Sequence, residues 1–402
     1  MEKTGTHHLI PRLRAILKRL RRSGSASSVR KRRCLGRAIL FGFTILIRFG
    51  GGAILSAQSF PQWKGTITKE GDVTVFHNPK EPIFKGAAFS LKEDLTIPTT
   101  GANDRYMISD VRQIIVDDEG RIYVLDSKSA DIKVFDALGR FLRTIGRQGQ
   151  GPGEINLPMQ ISINRTKKEI CVLQSSRRVS FFGLDGNFLR HVSTSTIWGL
   201  AGRVDSMGNL VLTEGIFAPP EMWYALKKFD PNMNLIVELA RTPAPKVTAF
   251  DPFLPIARWT IDDQDNIVYG YPKTYEILVF GAQNKLVRKI QKRYDPIKVS
   301  DAEIEEAKKD LPAGITPAFS NFHPAFRNLL VDEEGRIYVQ TWRKDANGQC
   351  VFYDLFDKEG RYLAVLNLKE RAMIRKGKMY SVDEDEDGYQ TIKRYAVTWN
   401  LK

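Results

Sequence analysis

The feature that most constrains the fold of this chain is a repeated pair of alternating hydrophobic runs joined by a short polar turn. The segment VDDEGRIYVLD at Val116–Asp126 returns as VDEEGRIYVQ at Val331–Gln340. Looser copies occur at Arg203–Thr213, Thr260–Gly270 and Ile163–Gln174. Alternation of apolar and polar residues around a turn rich in Asp, Gly and Asn is typical of a β-hairpin. The chain therefore repeats a hairpin along most of its length.

A second hairpin follows each copy of the first. These second hairpins begin at Val134, Phe181, Lys228, Val279 and Leu355. Two hairpins in succession make a unit of four antiparallel strands. A unit of this kind that returns every few tens of residues predicts a repeat architecture such as a propeller. The sequence contains five complete units.

The sixth unit is split between the two ends of the chain. Arg371–Trp399 supplies about three strands, and Ala87–Pro98 is a strand that has no unit of its own. An N-terminal strand that joins the last blade would close the ring and cover sheet edges that are otherwise exposed. We therefore predict an all-β fold, a six-bladed β-propeller of four-stranded antiparallel blades closed by an N-terminal strand.

At this level the chain resembles NHL-repeat proteins of the secreted bacterial type, which are six-bladed β-propellers. The family pattern combines a glycine-rich loop ending in Pro-Gly-Glu, a strand ending in YVxDS and a strand ending in VFDxxG. It is matched at Gly149–Glu154, Tyr123–Ser127 and Val134–Gly139, and the resemblance covers roughly residues 87–400. It is specific for the fold and weak for function, because propellers serve as binding platforms, lyases, lactonases and RNA readers.

The glycine-rich stretch GRQGQGPGE at Gly146–Glu154 has two interpretations. A phosphate cradle needs a strand before it and a helix directly after it, and a P-loop also ends in Gly-Lys-Ser/Thr. Here the next residues, Ile155–Ile163, contain a proline and another alternating run, and the loop ends in Gly153-Glu154. The stretch is therefore predicted to connect blades one and two.

Basic residues are concentrated at the N-terminus. The whole chain has 61 Lys and Arg against 46 Asp and Glu, a net charge of +15, but residues 1–59 hold 13 basic residues and one acid. The remaining chain is close to neutral, with 48 basic against 45 acidic residues. The charge of the predicted propeller therefore gives no support to a nucleic-acid partner.

The N-terminal region has the layout of a secretory signal, with a basic segment, the apolar run Ala38–Ile47 and small residues at Ile54–Ser59. The run of 10 residues is far shorter than the ~20 that span a bilayer. We expect cleavage after Ala57 and an extracytoplasmic protein, either periplasmic or secreted. The alternative is an uncleaved anchor, which would be the only contact with the membrane. The predicted organisation is 1–57 for this region, 58–86 for a leading linker and 87–402 for a monomeric propeller.

The ring geometry predicts which loops share a face. If the first strand of each blade is innermost, the links between blades and the middle loops within blades open on one face, the loop-rich face. The short hairpin turns open on the opposite, plain face. The longest insertion, Lys292–Ala325, belongs to the loop-rich face, and within it Ser300–Gly314 is predicted to be a short helix between blades four and five. Insertions collected on one face of a repeat array predict the binding face.

The loops of this face are rich in aromatic and cationic side chains, which suit a sugar or peptide ligand. The candidate ligand-binding residues are Arg105, Tyr106, Arg177, Trp223, Tyr224, His323, Trp342 and Arg343. The alternative for each ring is packing of a long loop against the blades. We predict a binding platform for a glycan, a peptide or an envelope protein, without catalytic residues or cofactor. A purely structural role, as an adaptor in an envelope assembly, stays open.

An enzymatic interpretation also stays open. A lactonase-like hydrolase or lyase would hold calcium or another divalent cation with carboxylates at the mouth of the central channel, and Asp126 and Glu214 are the candidate ligands. Aspartates that end such strands also tie down loops, and no spacing singles out a third ligand. Within the propeller proper the only histidines are His191 and His323, so histidine-based metal chemistry is not expected.

Overall fold

The computed structural model describes residues 62–99, 106–194, 199–218, 221–244, 249–309, 311, 316–346, 348, 350–384 and 388–401. These residues form six blades in a ring, each built on four antiparallel strands, with one short helix. The predicted all-β, six-bladed fold is therefore confirmed. The predicted signal or anchor, residues 1–57, lies outside the described residues. Within the described part, no helix combines the length and the apolar character needed to cross a membrane.

The strands of the first half are, in chain order, β1 Thr66–Glu70, β2 Val73–Asn78, β3 Phe89–Pro98, β4 Val111–Val116, β5 Ile122–Asp126, β6 Asp131–Phe135, β7 Phe141–Ile145, β8 Pro158–Asn164, β9 Glu169–Gln174, β10 Arg178–Gly183, β11 Phe188–Ser193, β12 Gly199–Val204, β13 Leu210–Ala218, β14 Glu221–Phe229 and β15 Leu235–Pro243.

The second half contains β16 Ala249–Phe250, β17 Arg258–Ile261, β18 Ile267–Gly270, β19 Glu276–Phe280, β20 Leu286–Lys292, helix α1 Asp301–Lys309, β21 Thr316–Pro317, β22 Asn328–Val331, β23 Ile337–Lys344, β24 Cys350–Phe356, β25 Tyr362–Lys369, β26 Met373–Arg375, β27 Lys378–Glu384 and β28 Gln390–Trp399.

Five blades are consecutive in the chain, and the sixth closes the ring. Blades one to three are β4 to β7, β8 to β11 and β12 to β15, and blades four and five are β17 to β20 and β22 to β25. Blade six combines β26, β27 and β28 with β3 from the N-terminal side. β28 and β3 are antiparallel neighbours from the pair Trp399 and Phe89 to the pair Thr391 and Pro98. Ring closure by an N-terminal strand is thus confirmed.

A hairpin that the sequence did not reveal lies on the outer edge of blade four. β1 pairs with β2, and β2 runs parallel to β20, so this sheet has six strands. Asn78 at the end of β2 fixes the hairpin, because its buried side-chain amide binds both the segment before β1 and the turn that leads into β25. Its Oδ1 accepts from Trp63 Nε1 at 2.9 Å and from the Tyr362 amide at 2.8 Å, and its Nδ2 donates to the Gly360 carbonyl at 2.9 Å. The segment considered a leading linker therefore contains ordered β-structure.

The hydrophobic core is divided into six clusters, one between each pair of neighbouring blades. The cluster between blades one and two, for example, joins Tyr123 and Ile132 to Ile161 and Phe182. The middle strands β5 and β6 are buried at every position, because both faces of each blade contact a neighbour. The outer strand β7 instead alternates between partly buried and exposed residues. This burial pattern explains why the inner hairpins gave the strongest repeat in the sequence.

Aspartates shape the hairpin turns and account for the repeated turn sequence. In blade one, Asp117 Oδ1 accepts backbone N–H groups from Glu119 at 3.0 Å and Arg121 at 2.8 Å, and Asp117 Oδ2 accepts from the Tyr123 hydroxyl at 2.9 Å. Asp332 makes the corresponding contacts in blade five. Further turn aspartates accept the N–H four residues on: Asp136, Asp205, Asp230, Asp262 and Asp357. Satisfying these N–H groups locally stabilises each turn.

The glycine-rich loop connects β7 to β8, as predicted for a connector. A carboxylate of the loop itself binds the loop backbone: Glu154 Oε2 accepts the Gly151 N–H at 2.8 Å. This contact and Arg147 lower the pKa of Glu154. A Cβ at Gly149 would lie 2.1 Å from Glu154 Oε2, so this position requires glycine. The Pro-Gly-Glu motif therefore closes the loop on itself.

The predicted helix is present as α1, Asp301–Lys309, between blades four and five. A capping box begins it, since Ser300 Oγ accepts the Glu303 N–H at 3.3 Å and Glu303 Oε2 accepts the Ser300 N–H at 3.0 Å. Ala307 is the buried residue of the helix and packs with Phe253 and Val299. The helix is thus held against the loop-rich face by a narrow apolar contact.

Replacing Ile97 by Ala tests the importance of the closing strand. Ile97 of β3 is 2% exposed and packs in the cluster between blades six and one. We expect the substitution to lower the free energy of unfolding by about 2–5 kcal/mol. Lys92→Ala, an exposed position on the same strand, should change it by less than about 0.5 kcal/mol. Urea denaturation measures both, and equal stability of the two variants would contradict the role given to β3.

Candidate ligand site

An aromatic cluster lies between blades four and five on the loop-rich face. The rings of His323 and Trp342 are stacked, with centroids 4.2 Å apart and planes 17° apart. Phe253 meets the His323 ring edge to face at 5.3 Å. The Arg327 guanidinium lies 4.7 Å from the centroid of the Trp342 ring. The structure thus brings together two residues predicted from sequence, His323 and Trp342, and adds Arg327 to them.

His323 connects this cluster to helix α1. Its Nε2 lies 3.2 Å from the Glu303 carboxylate, and the residue is buried. Burial lowers the pKa of His323, and the charge of Glu303 opposes part of that effect. Because the net shift is downward, the neutral imidazole is the favoured form in the folded protein. The stack therefore holds the insertion on the blades through His323, and protonation of this histidine is unfavourable in the folded protein.

A cleft of about 420 Å³ lies beside the cluster. Its walls combine apolar residues, among them Pro252 and Ile256, with the side chains of Arg258, Arg327 and Trp342. Arg258 donates from Nε to the Arg327 carbonyl at 2.8 Å, which brings the two arginines to the same wall. Arg327 is also paired with a carboxylate, since its Nη1 lies 2.7 Å from an oxygen of the partly exposed Glu370 side chain. The cleft thus presents two planar cations, one of them paired with a carboxylate, among apolar side chains and the amides of Asn328 and Gln340.

Tyr106 fits the packing alternative. Its ring stacks on Phe141 at 5.1 Å and meets Phe135 edge to face at 4.9 Å. Its hydroxyl donates to the Pro98 carbonyl at 3.1 Å. These contacts fix the segment that leads from β3 into blade one. Arg105, the residue before it, lies outside the described residues.

The other predicted residues are spread over three blades. Trp223 and Tyr224 are partly buried on β14 of blade three, and burial raises the pKa of Tyr224. Arg177 is exposed in the turn between β9 and β10, with a positive φ of 59°. On blade five, Arg343 Nη2 lies 3.1 Å from Asp354 Oδ1. The candidate residues on blades two and three therefore lie away from the cleft between blades four and five.

The two proposed metal ligands have structural partners. Asp126 is fully buried, and its carboxylate accepts N–H groups from Ser109 at 2.7 Å and Lys128 at 3.0 Å, which ties down the neighbouring loops. The Glu214 carboxylate is paired with Lys227 at 3.0 Å. Across the described ranges, no group of three or more His, Cys, Asp or Glu side chains is placed to hold a metal ion. Both residues thus contribute to loop and blade stability in this structure.

The central channel contains charged residues that the sequence reasoning missed. A cavity of about 370 Å³ is lined by the innermost strands and by the residues that flank them, among which Arg112, Arg203 and Arg371 come from three different blades. Each of these arginines interrupts or adjoins an otherwise apolar first strand. An arginine within or next to an apolar first strand was the signal in the sequence, because the first strand of each blade lines the channel.

Ion pairs cross the channel at its plain-face end. Arg375 contacts Asp263 at 2.7 Å and Asp118 at 3.2 Å, and Arg165 lies within 3.7 Å of the same two aspartates. The four residues come from blades one, two, four and six, so the network joins opposite sides of the ring. Each carboxylate faces two guanidinium groups, and this part of the channel is electrically balanced.

The lowered pKa of His323 predicts a pH-dependent stability. An unfolded chain has a histidine pKa of about 6.5 and binds a proton as the pH falls through that value, whereas folded His323 resists protonation. Its contribution is therefore present above pH ~6.5 and is lost as the pH falls below it. We expect the thermal midpoint to fall less from pH ~7.5 to ~5.5 in His323→Gln than in the wild type. An identical pH dependence would contradict this role.

Comparisons with known proteins agree with the fold. Residues 95–196 match the family DUF5128, described as a 6-bladed beta-propeller, and no curated protein matches the chain. One similar structure is that of a "putative exported protein" from Bacteroides fragilis, with 13% identity and a TM-score of 0.55 over 81% of this chain and 99% of that one. A member of the DUF4221 family from Bacteroides vulgatus has 11% identity and a TM-score of 0.51 over 78% and 99%. At such identities the likeness identifies the chain as a six-bladed β-propeller and concerns the fold alone.

Proposed function

We propose that this protein is an extracytoplasmic binding module that takes a glycan, a peptide or an envelope protein at the cleft between blades four and five. The observation that carries the proposal is the arginine pair Arg258 and Arg327 on one wall of a cleft large enough for part of such a ligand. Pockets of some hundreds of Å³ with apolar walls and a few oriented polar groups are typical of ligand sites.

The aromatic residues support this site by positioning Arg327. The Trp342 ring has two neighbours: His323 stacks on it, and the Arg327 guanidinium lies over it. The indole therefore both packs the loop that carries His323 and supports the guanidinium. A cation held over an aromatic face loses little further conformational freedom when a ligand binds. We therefore assign the direct ligand contacts to Arg258 and Arg327, and a positioning role to Trp342.

The location outside the cytoplasm belongs to the same proposal. It is supported by the signal-like N-terminal sequence and by the name of the similar Bacteroides fragilis protein, "putative exported protein". The assignment to an NHL-repeat-like type, and the monomeric state, are parts of the proposal that rest on the sequence motifs. The metal-assisted hydrolase or lyase has less support, since Asp126 is engaged by backbone N–H groups and Glu214 is paired with Lys227.

A binding screen with matched variants tests the cleft. The purified protein would be applied to glycan and peptide arrays, and the affinity of any ligand found would be measured for Arg327→Ala and for Trp342→Ala. We expect Arg327→Ala to weaken binding about tenfold or more, because truncation of an interface arginine commonly has that effect. Trp342→Ala should weaken it less, because it leaves the guanidinium in place but less ordered.

The control is Arg140→Ala on the plain face, where Arg140 is 75% exposed and pairs with Asp136. It removes the same charge and should leave the affinity unchanged. Wild-type affinity in Arg327→Ala, or an equal loss in Arg140→Ala, would show that the ligand binds elsewhere.

A further inference from the structure

The cavity along the central channel has more positive than negative charge. Its lining includes the acids Asp263 and Glu370 and five arginines, Arg112, Arg165, Arg203, Arg371 and Arg375. Asp263 is paired with two of these arginines at the plain-face end, and Glu370 is paired with Arg327 of the cleft. In the described part of the chain, Arg112, Arg203 and Arg371 are thus left without an acidic partner.

Arg203 differs from the other two. Arg112 Nε donates to the Met159 carbonyl at 3.4 Å, and Arg371 Nη1 donates to the Val111 carbonyl at 3.3 Å. For Arg203, the residues that the structure describes provide neither a hydrogen-bond acceptor nor an ion pair. Its side chain is only partly exposed, and loss of hydration lowers its pKa to about 10. Arg203 is therefore still charged at neutral pH.

The aspartates that line a cavity together with Arg203 are already engaged by other groups. Arg203 also lines a second cavity of about 170 Å³ at the plain-face end, together with several aspartates. Of these, Asp205 is paired with Lys228 at 2.8 Å, and Asp265 accepts the Ser206 N–H at 2.9 Å. Asp262 accepts the Asn266 N–H at 2.8 Å, and Asp263 is paired with Arg375 at 2.7 Å. Drawing any of these four carboxylates to Arg203 would therefore break an existing contact.

A guanidinium that is partly withdrawn from water and has no acceptor among the described residues is less well stabilised than a paired one. Its N–H donors form a planar fork that matches the two oxygens of a carboxylate or a phosphate. We propose that the central channel binds a small oxyanion, with Arg203 as its direct contact and with Arg112 and Arg371 attracting it from the wider part of the cavity. This site lies in a different cavity from the cleft of the proposed function, although Asn328 lines both, and the proposal does not depend on the cleft.

The channel walls set the size and character of the ligand. Between the arginines the lining is mixed: the polar side chains of Gln113, Thr260 and Asn328 alternate with apolar ones such as Ile115, Ile261, Leu330 and Met373. A volume of about 370 Å³ accepts a small organic acid or a phosphorylated metabolite of a few carbon atoms and excludes a folded or polymeric partner. The expected ligand is thus a small molecule with one oxyanion and a partly apolar body.

The test measures thermal unfolding of the purified full chain with sodium phosphate, sodium glucuronate, or sodium chloride at equal ionic strength. A ligand that binds only the native state raises its midpoint by mass action. We expect phosphate or glucuronate, at about ten times its Kd, to raise the midpoint by about 2 °C beyond chloride. Glucose, the neutral counterpart of glucuronate, should have no effect. Which anion acts distinguishes a phosphate ligand from a carboxylate.

Variants of Arg203 decide whether this residue is responsible. Arg203→Gln should abolish the anion-specific rise, and its midpoint without added anion should equal or exceed the wild-type value because an unpaired charge has been removed. Arg203→Lys retains the charge but not the planar fork, so part of the rise should remain. Arg241→Gln on the same blade, where Arg241 is paired with exposed Glu238, should keep the full rise.

Two results would overturn the proposal: no difference between the oxyanions and chloride in the wild type, or a full anion-specific rise in Arg203→Gln. Should Arg203→Gln fail to fold, the wild-type comparison and Arg203→Lys still decide the matter. Arg258→Ala, which removes the other arginine of the cleft and leaves the pair of Arg327 with Glu370 in place, should leave the anion response unchanged. A failure of the cleft proposal and a failure of the channel proposal are therefore distinguishable.

Discussion

The packing of each blade against its two neighbours is the constraint on which the rest of the structure depends. A four-stranded blade has two apolar faces, and neither can be buried within the blade itself. The clusters between neighbouring blades bury both faces only when the ring is complete. Strand β3 therefore has an effect beyond its own hydrogen bonds, because Ile97 connects the last blade to the first. Such mutual burial is the main favourable contribution to folding.

The ring also determines where polar groups collect. The first strand of every blade faces the axis, so side chains far apart in sequence converge on one narrow space of low hydration. At the plain-face end the charges in that space are balanced, because arginines and aspartates are paired there. Arg375, for example, contacts both Asp118 and Asp263. Farther along, Arg203 has no such partner among the residues that the structure describes. Polar groups that are withdrawn from water are usually paired in folded proteins, so a partly buried arginine without a partner is the position in the channel where an anionic ligand would contribute most.

The loop-rich face uses its aromatic residues in a different way from a simple sugar-binding platform. His323 and Trp342 stack on each other, and helix α1 is attached to them through Glu303. The cluster fixes a long insertion over blades four and five and orients Arg327 toward the cleft. The same packing that stabilises the insertion therefore shapes the proposed binding surface. Loops held on a rigid scaffold commonly carry function in this way.

The sequence by itself determined the number of blades, the closing strand, helix α1 and the connecting role of the glycine loop. These features depend on local chemistry: alternation of side chains, aspartate turns such as that at Asp117, and the capping box at Ser300. Only the tertiary structure decided that a hairpin ending at Asn78 joins blade four, that Asp126 holds loop backbone, and that Arg203 lines the channel without a partner in the described part of the chain. Each of these outcomes depends on contacts between residues that are distant in sequence. Local periodicity contains no information about such contacts.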